Sequence, residues 1–116
     1  MEVEYLCSLR LRAKGNTKAF FGLGPYRLLE EIEKTKSLRL AAMKMGMAYS
    51  KAWGLIKQAQ KQLGDDLVCS TTGGAGGGST VLTEKGLQLV TAYRSAQADI
   101  KDYVYQVAAK HFGDVL

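Results

Sequence analysis

The chain has few of the residue types that build catalytic or metal sites. Its 116 residues include one histidine, one proline, one tryptophan and two cysteines. Cys7 and Cys69 lack the paired spacing of a zinc site, and two cysteines are too few for a disulfide framework. The sequence also offers no nucleophile beside a base. We therefore expect no metal, no cofactor and no enzymatic activity, with both cysteines acting as small packing residues.

Long apolar runs are missing as well. No segment approaches the roughly 20 apolar residues that span a bilayer, and Met1–Gly15 lacks the apolar stretch of a secretory signal. We expect a soluble, cytoplasmic protein that has no membrane partner. A length of 116 residues, 47% of them hydrophobic and 23% charged, predicts a single domain over residues 1–116.

Acidic residues are absent between Glu33 and Asp65. The window holds seven bases, which are Lys34, Lys36, Arg39, Lys44, Lys51, Lys57 and Lys61. The net charge of +5 is also unevenly distributed, because residues 1–83 carry twelve bases and seven acids while residues 84–116 carry four of each. A localised positive excess is typical of a surface that binds the phosphate backbone of a nucleic acid.

The first third of the chain predicts a hairpin followed by a helix. Apolar and polar residues alternate over Val3–Leu11, as in a strand with one buried face. Lys14–Thr17 supplies a turn, so we expect an N-terminal β-hairpin over residues 3–21. Pro25 suits the first position of the helix that follows.

The segment from Leu38 to Gly64 predicts a helix-turn-helix over residues 38–64. Ser37 is expected to cap the first helix, and Gly46 to form the turn. Ala42 is the small residue that lets the two helices cross closely. Gly64 is expected to end the second helix.

The N-terminal half of the second helix enters the major groove in such modules. The predicted DNA contacts on this helix are Tyr49, Ser50, Lys51, Trp53, Gly54 and Lys57. Several have structural alternatives: Tyr49 could pack against the hairpin, Ser50 could cap the helix, and a tryptophan such as Trp53 is more often buried. Glycine inside a helix costs about 1 kcal/mol relative to alanine. Gly54 therefore indicates close approach to DNA or to another helix.

Five glycines fall within residues 73–78, between two short strand-like segments. We expect a wing over residues 67–82 whose backbone approaches a sugar-phosphate edge; the alternative is a plain flexible hairpin tip. The predicted wing contacts are Thr72, Gly73, Gly74, Gly76, Gly77 and Ser79. Thr71 and Thr80 would add hydroxyl groups at the base of the wing.

A long final helix is expected over residues 83–112, capped by Thr83. Its apolar residues Leu89, Tyr93, Ala96, Ile100, Tyr103 and Val107 follow a spacing of four and three, which is a heptad seam. The seam predicts a homodimer with two DNA-binding units roughly 34–36 Å apart. The alternative is a helix that covers the core of its own chain.

Four motifs together resemble a known family. They are Phe21–Gly24, Tyr49–Trp53 (YSKAW), Thr72–Gly78 and Leu82–Gly86. The chain resembles the DNA-binding domain of the ModE molybdate-dependent transcriptional regulators, which is similar to the winged helix of LysR-type regulators. This resemblance implies a homodimeric regulator that binds an imperfect palindrome and dimerises through the final helix. It also implies a C-terminal oxyanion-binding domain in the full regulators, and we expect no such effector domain within these 116 residues.

The predicted fold class is mainly α with small β-hairpins: a winged helix-turn-helix with an N-terminal β-hairpin and a long C-terminal dimerisation helix. The predicted function is a sequence-specific transcriptional regulator that binds double-stranded DNA as a homodimer at the nucleoid. Two alternatives stay open. One is a sequence-indifferent architectural DNA-binding protein, which would bind with a steep salt dependence and little specificity. The other is a protein-interaction adaptor that retains the fold.

Overall fold

The computed structural model describes residues 1–71 and 78–116. Over these residues the elements are α1 (Leu23–Thr35), α2 (Leu38–Lys44), α3 (Tyr49–Leu63), β1 (Val68–Thr71), β2 (Ser79–Leu82) and α4 (Glu84–Phe112). Three helices, an antiparallel strand pair and a long final helix form a winged helix-turn-helix, which confirms the predicted mainly α winged helix-turn-helix class. The predicted contacts Thr72, Gly73, Gly74, Gly76 and Gly77 lie outside the described residues.

The helix α1 packs through one apolar face, because Leu28, Leu29 and Ile32 recur at helical spacing and are fully buried. It begins at Leu23, so Pro25 is the third helical residue and not the predicted first. Proline is accommodated there because the N–H groups of the first turn have no partner inside the helix.

A sharp turn at Gly46 joins α2 to α3. Gly46 has a φ of +66°, a left-handed conformation that favours glycine. Ser37 caps α2 as predicted, since its hydroxyl accepts a hydrogen bond from the Leu40 N–H at 3.1 Å. Ala42 and Ala52 are both buried in the core, where their small side chains allow the two helices to approach closely.

The strands β1 and β2 pair antiparallel, with Val68 opposite Leu82. The pair is attached to the helical body through β2, where the Thr80 N–H donates to the Lys36 carbonyl oxygen at 2.9 Å. Lys36 is the residue that ends α1. The base of the wing is therefore held against the end of the first helix.

Thr83 caps α4 as predicted and also connects it to the entry of the wing. Its hydroxyl accepts from the Gly86 N–H at 3.1 Å and donates to the Asp66 carbonyl oxygen at 2.6 Å. Gly86 is buried, and a Cβ atom there would overlap the carbonyl oxygen of Leu67. Although α4 is 29 residues long, neither it nor another helix in the described part of the chain is long and apolar enough to cross a membrane.

The N-terminal segment differs from the prediction. Instead of a regular hairpin, it forms a single antiparallel bridge between Leu11 and Phe21. The residues before this bridge lie along α4, where the Gln97 side chain donates to the Cys7 carbonyl oxygen at 2.6 Å and accepts from the Leu9 N–H at 2.9 Å. Backbone polar groups need partners, and here a helix side chain supplies them where a second strand was expected.

The core lies between α1, α2, α3, the base of the wing and the first part of α4. Its largest fully buried side chains are Phe21, Leu28, Leu29, Ile32, Ile56, Leu67 and Val90. Contrary to the prediction, neither cysteine packs there, because Cys7 and Cys69 are both exposed. Of the residues in β1 only Val68 is buried, and the segment around Cys7 rests on α4 without a second layer above it.

Candidate nucleic-acid interface

The helix α3 has one buried face and one exposed face. Ala52, Ile56 and Ala59 are buried in the core. The exposed residues are Tyr49, Ser50, Lys51, Trp53, Gly54, Lys57, Gln58, Lys61 and Gln62. All six residues predicted on this helix to contact DNA therefore lie on its exposed side.

The exposed side of α3 carries positive charge that is not neutralised within the chain. Lys51 and Lys57 make no ion pair among the described residues. By contrast, the ammonium groups of Lys34 and Lys44 lie 3.8 Å and 3.6 Å from the carboxylate oxygens of Glu31. The basic window is thus partly neutralised at α1 and α2, while α3 keeps its cations available for an anionic partner.

The structure resolves the alternatives that the sequence left open for three residues. Trp53 is 36% exposed and Tyr49 is 57% exposed, so neither is a core residue. Ser50 does not cap α3, because Ala48 occupies the N-cap position and no side chain bonds there. All three side chains are accessible to a partner.

Gly54 lies in open space. Among the described residues, a Cβ atom built at this position meets no heavy atom within 4 Å beyond its chain neighbours and its own helix backbone. Packing against another helix of the same chain therefore does not explain the glycine. Close approach of Gly54 to DNA stays a prediction.

The described part of the wing is its base. The hydroxyl oxygens of Ser79 and Thr71 lie 2.7 Å apart at the paired ends of the two strands, where Thr71 is exposed and Ser79 is partly buried. Thr80 differs from the prediction, because it is buried and its hydroxyl lies 3.4 Å from that of Ser70. Thr80 thus faces the domain and offers no hydroxyl to a partner.

Gln60 connects α3 to the start of the wing, a role that no sequence pattern indicated. Its side-chain oxygen accepts a hydrogen bond from the Leu67 N–H at 2.9 Å, and the Val68 N–H lies 3.4 Å away. The amide thus holds the start of β1 against the second half of α3.

The predicted dimerisation seam includes one residue that belongs to the core. Tyr93 is 3% exposed, and its ring centroid lies 4.7 Å from that of Tyr26 and 5.5 Å from that of Phe21. Its hydroxyl donates to the Leu9 carbonyl oxygen at 2.8 Å. The prediction that Tyr93 faces a second subunit is therefore corrected: heptad spacing also suits a helix that packs on its own domain.

The other seam residues divide along the length of α4. Leu89, Ala96 and Ile100 are partly buried, whereas Tyr103 is 65% exposed and Val107 is also exposed. The exposed large apolar residues in the second half of the helix are Tyr103, Tyr105, Val107 and Phe112. Exposed apolar surface on α4 is thus concentrated in its distal part, although Leu87 in the first turn is also 44% exposed and the Tyr105 ring contacts that of Tyr5.

A second basic region, which is not among the predicted binding sites, lies in the first third of the chain. No acidic residue occurs between Glu4 and Glu30, and the bases in this stretch are Arg10, Arg12, Lys14, Lys18 and Arg27. All five are exposed, and none forms an ion pair among the described residues. The same criterion that identified the basic window on the helix-turn-helix, a stretch without acids, would have found this region.

Metal-binding residue types do not converge in residues 1–71 and 78–116, where no group of three or more His, Cys, Asp or Glu side chains could hold an ion. His111 lies in the last turn of α4 beside Lys110. Positive charge at this position interacts favourably with the C-terminal end of the helix dipole. The interface residues on α3 and the wing thus point to electrostatic and hydrogen-bonded recognition.

The helix-turn-helix was compared with known protein families. Residues 23–87 match the model of the bacterial regulatory helix-turn-helix proteins of the lysR family. The match runs from the start of α1 to the first turn of α4 and covers more than half of the chain. The chain belongs to the lysR family of helix-turn-helix proteins.

Relatives of this lysR-family chain include proteins named ModE. It is 33% identical over 116 residues to the DNA-binding transcriptional dual regulator ModE of Escherichia coli (strain K12), covering 100% of this chain and 39% of that protein. It is 32% identical over 81 residues to the molybdenum transport protein ModE of Herbaspirillum seropedicae, covering 70% and 30%. It is 33% identical over 84 residues to the molybdenum-pterin-binding protein MopB of Rhodobacter capsulatus, covering 72% and 31%.

These relatives confirm the resemblance to the ModE DNA-binding domain that the sequence motifs predicted. The chain spans only 30% to 39% of the length of the three relatives. The similarity therefore concerns the helix-turn-helix part of those proteins.

Proposed function

We propose that this chain is a transcriptional regulator that binds duplex DNA sequence-specifically, with the N-terminal half of α3 in the major groove. The observation that carries the proposal is the exposed positive charge of Lys51 and Lys57, which form no ion pair within residues 1–71 and 78–116, around the glycine at position 54. The major groove is about 12 Å wide and admits a helix about 10–12 Å in diameter. A helix that presents two cations around a glycine suits such a groove.

Each exposed residue of α3 receives a proposed role. Lys51 and Lys57 contact guanine or phosphate, and Ser50 bonds a base edge or a phosphate. Tyr49 and Trp53 offer large aromatic surfaces on the same side of the helix as Gln60, which faces the wing. Gly54 lets the helix backbone approach the base edges.

The wing is proposed to contact the sugar-phosphate backbone beside the groove. The residues assigned to this contact are Thr72, Gly73, Gly74, Gly76, Gly77 and Ser79. Ser79 supports the assignment, because it begins β2 at the end nearest the wing tip and its hydroxyl lies 2.7 Å from that of the exposed Thr71. Phosphate contacts of this kind fix the orientation of a protein on DNA without reading its sequence.

Dimerisation is proposed through the distal part of α4. Tyr103, Tyr105, Val107 and Phe112 expose apolar surface there. Burying apolar surface contributes about 25 cal/mol per Å², so a second copy of this helix would be a favourable partner. A symmetric dimer would bind a palindromic site on the chromosome, which places the proposed activity in the cytoplasm at the nucleoid.

Selection of bound duplexes from a random DNA library, at about physiological salt, tests the proposed function. A sequence-specific dimer would enrich a palindrome with half-sites about 10 base pairs apart. Recovery of DNA without a common motif would contradict sequence specificity and favour an architectural protein. Failure to recover any duplex would contradict DNA binding and favour the adaptor hypothesis.

A further inference from the structure

The turn between the N-terminal segment and α1 is a second cationic surface. We define the turn surface as residues Lys14 to Lys18, which include two exposed lysines. The Asn16 N–H donates to the Ala13 carbonyl oxygen at 3.0 Å and closes the turn, and Gly15 has a φ of +93°. A formed turn of this kind presents its lysines from an ordered backbone.

The turn surface lies beside the exposed side of α3. A cleft separates the two, lined by residues 15–18 and Phe20 on one side and by Gln58 and Gln62 on the other. Phe20 is partly buried against the core and attaches the turn to the domain. No acidic residue lines this cleft, so the positive charge of Lys18 is not offset there.

The turn surface and the wing flank α3 on opposite sides. Gln60 bonds to the start of β1, whereas Gln58 and Gln62 face the turn. Residues two apart on an α-helix differ by about 200° in direction at 3.6 residues per turn. The helix therefore runs between two projections of the domain.

We propose that the turn surface contacts the DNA phosphate backbone on the groove edge opposite the wing. This inference rests on the proposed insertion of α3 into the major groove. Phosphates line both edges of that groove, so a helix lying in it has one row of phosphates on the wing side and another on the turn side. Gln58 and Gln62 belong to the C-terminal half of α3, which lies nearer the rim when the N-terminal half enters the groove. Lys14 and Lys18 would then meet phosphates there.

The neighbouring arginines provide a control within the same segment. Arg10 and Arg12 line a different cleft, together with Thr17 and Ala19 and without a residue of α3. They are exposed like the turn lysines and make no ion pair among the described residues. Removing two charges from either pair changes the net charge equally, so a difference between the variants reports position and not total charge.

The test compares the double variant Lys14→Ala/Lys18→Ala with the double variant Arg10→Ala/Arg12→Ala. The affinity of each for the selected duplex and for an unrelated duplex is measured over a range of salt concentrations, and thermal melting checks that each variant is folded. Each lost phosphate contact reduces the slope of log affinity against log salt by about 0.9. We expect the lysine variant to lose about 1.8 in slope per bound chain on both duplexes, and the arginine variant to keep the wild-type slope.

Equal losses in both variants, or an unchanged slope in the lysine variant, would overturn the inference while leaving the proposed function intact. If the wild-type protein binds no duplex at all, the proposed function fails and the inference fails with it. Specificity gives a further readout: a phosphate contact lowers affinity for both duplexes alike. Loss of affinity for the selected duplex alone would overturn the assignment of the turn to the backbone.

Discussion

Gln97 on α4 holds the backbone of Leu9, a residue 88 positions earlier in the chain, through a hydrogen bond of 2.9 Å from the Leu9 N–H to the Gln97 side-chain oxygen. The nitrogen of the same amide donates to the Cys7 carbonyl oxygen at 2.6 Å. A side-chain amide offers the donor and the acceptor that a neighbouring strand would offer. Gln97 therefore performs the role that the alternating sequence pattern assigned to a β-strand partner.

The variant Gln97→Ala is expected to release the segment before Leu11. It removes both hydrogen bonds, and each contributes on the order of 1 kcal/mol to stability. We expect faster amide hydrogen exchange at Leu9 and a free energy of unfolding lower by about 1–2 kcal/mol. Gln106→Ala, which alters an exposed glutamine on the same helix, is the matched control. Exchange at Leu9 that equals the wild-type rate would show that the amide does not hold the segment.

Lys51→Ala is expected to weaken DNA binding without lowering the melting temperature. Lys51 is exposed and makes no ion pair among the described residues, so its loss leaves the fold unaffected. A specific base or phosphate contact contributes about 1–3 kcal/mol, and a tenfold loss of affinity corresponds to about 1.4 kcal/mol. Lys101→Ala removes the same charge from α4 and should bind nearly as the wild type. Unchanged affinity for Lys51→Ala would exclude this lysine from the site.

Gly54→Ala is expected to stabilise the protein and to weaken its binding to DNA. Alanine removes the glycine penalty in a helix, about 1 kcal/mol, and its Cβ meets no heavy atom outside the helix. The same methyl group would hinder close approach of the α3 backbone to the bases. Gly24→Ala on α1 also places a Cβ in open space and serves as the control for affinity. A Gly54→Ala protein with undiminished affinity would show that DNA does not approach this position.

We expect the Glu30 carboxylate to make the free energy of unfolding decrease at acidic pH. Its carboxylate accepts from the Tyr26 hydroxyl at 2.7 Å and from the Arg94 guanidinium at 3.1 Å. The Tyr26 hydrogen bond, assisted by Arg94, lowers the pKa of Glu30 below its ordinary value of 4.5. The pKa of Glu30 is lower in the folded protein than in the unfolded protein, so the ionised carboxylate stabilises the fold. This stabilisation is fully present above the ordinary pKa of 4.5 and is lost as pH falls through the pKa of the folded protein.

The variant Glu30→Gln should therefore lower the free energy of unfolding at neutral pH, by on the order of 1 kcal/mol, and reduce the further loss as pH falls below the ordinary pKa of 4.5. Chemical denaturation at several pH values measures both effects. Glu33→Gln is the control, because the Glu33 carboxylate lies 3.9 Å from Arg94 and is more exposed than that of Glu30. An equally steep acid dependence in Glu30→Gln would remove Glu30 as its source.

Features that depend on near neighbours in the chain were predictable. Interactions within a few residues determine the helix caps at Ser37 and Thr83, the turn at Gly46 and the end of α3 at Gly64. The exposed cationic side of α3 was predicted for a related reason, since helical periodicity determines which residues share a face. The acid-free stretch that contains the turn lysines was readable in the sequence, whereas the position of the turn beside Gln58 and Gln62, about 40 residues further along the chain, depended on the tertiary structure.

Contacts between distant segments of the chain determined the features that the sequence patterns left open. A helix that packs on a second subunit and a helix that packs on its own core can show the same heptad spacing. The tertiary structure distinguishes these cases in α4, because it places Tyr93 against Phe21 and Tyr26 in the core. Alternation over Val3–Leu11 likewise describes an extended backbone but not its partner, which is Gln97. Periodicity encodes which side of an element is apolar, whereas the identity of the surface that covers it depends on how all elements pack together.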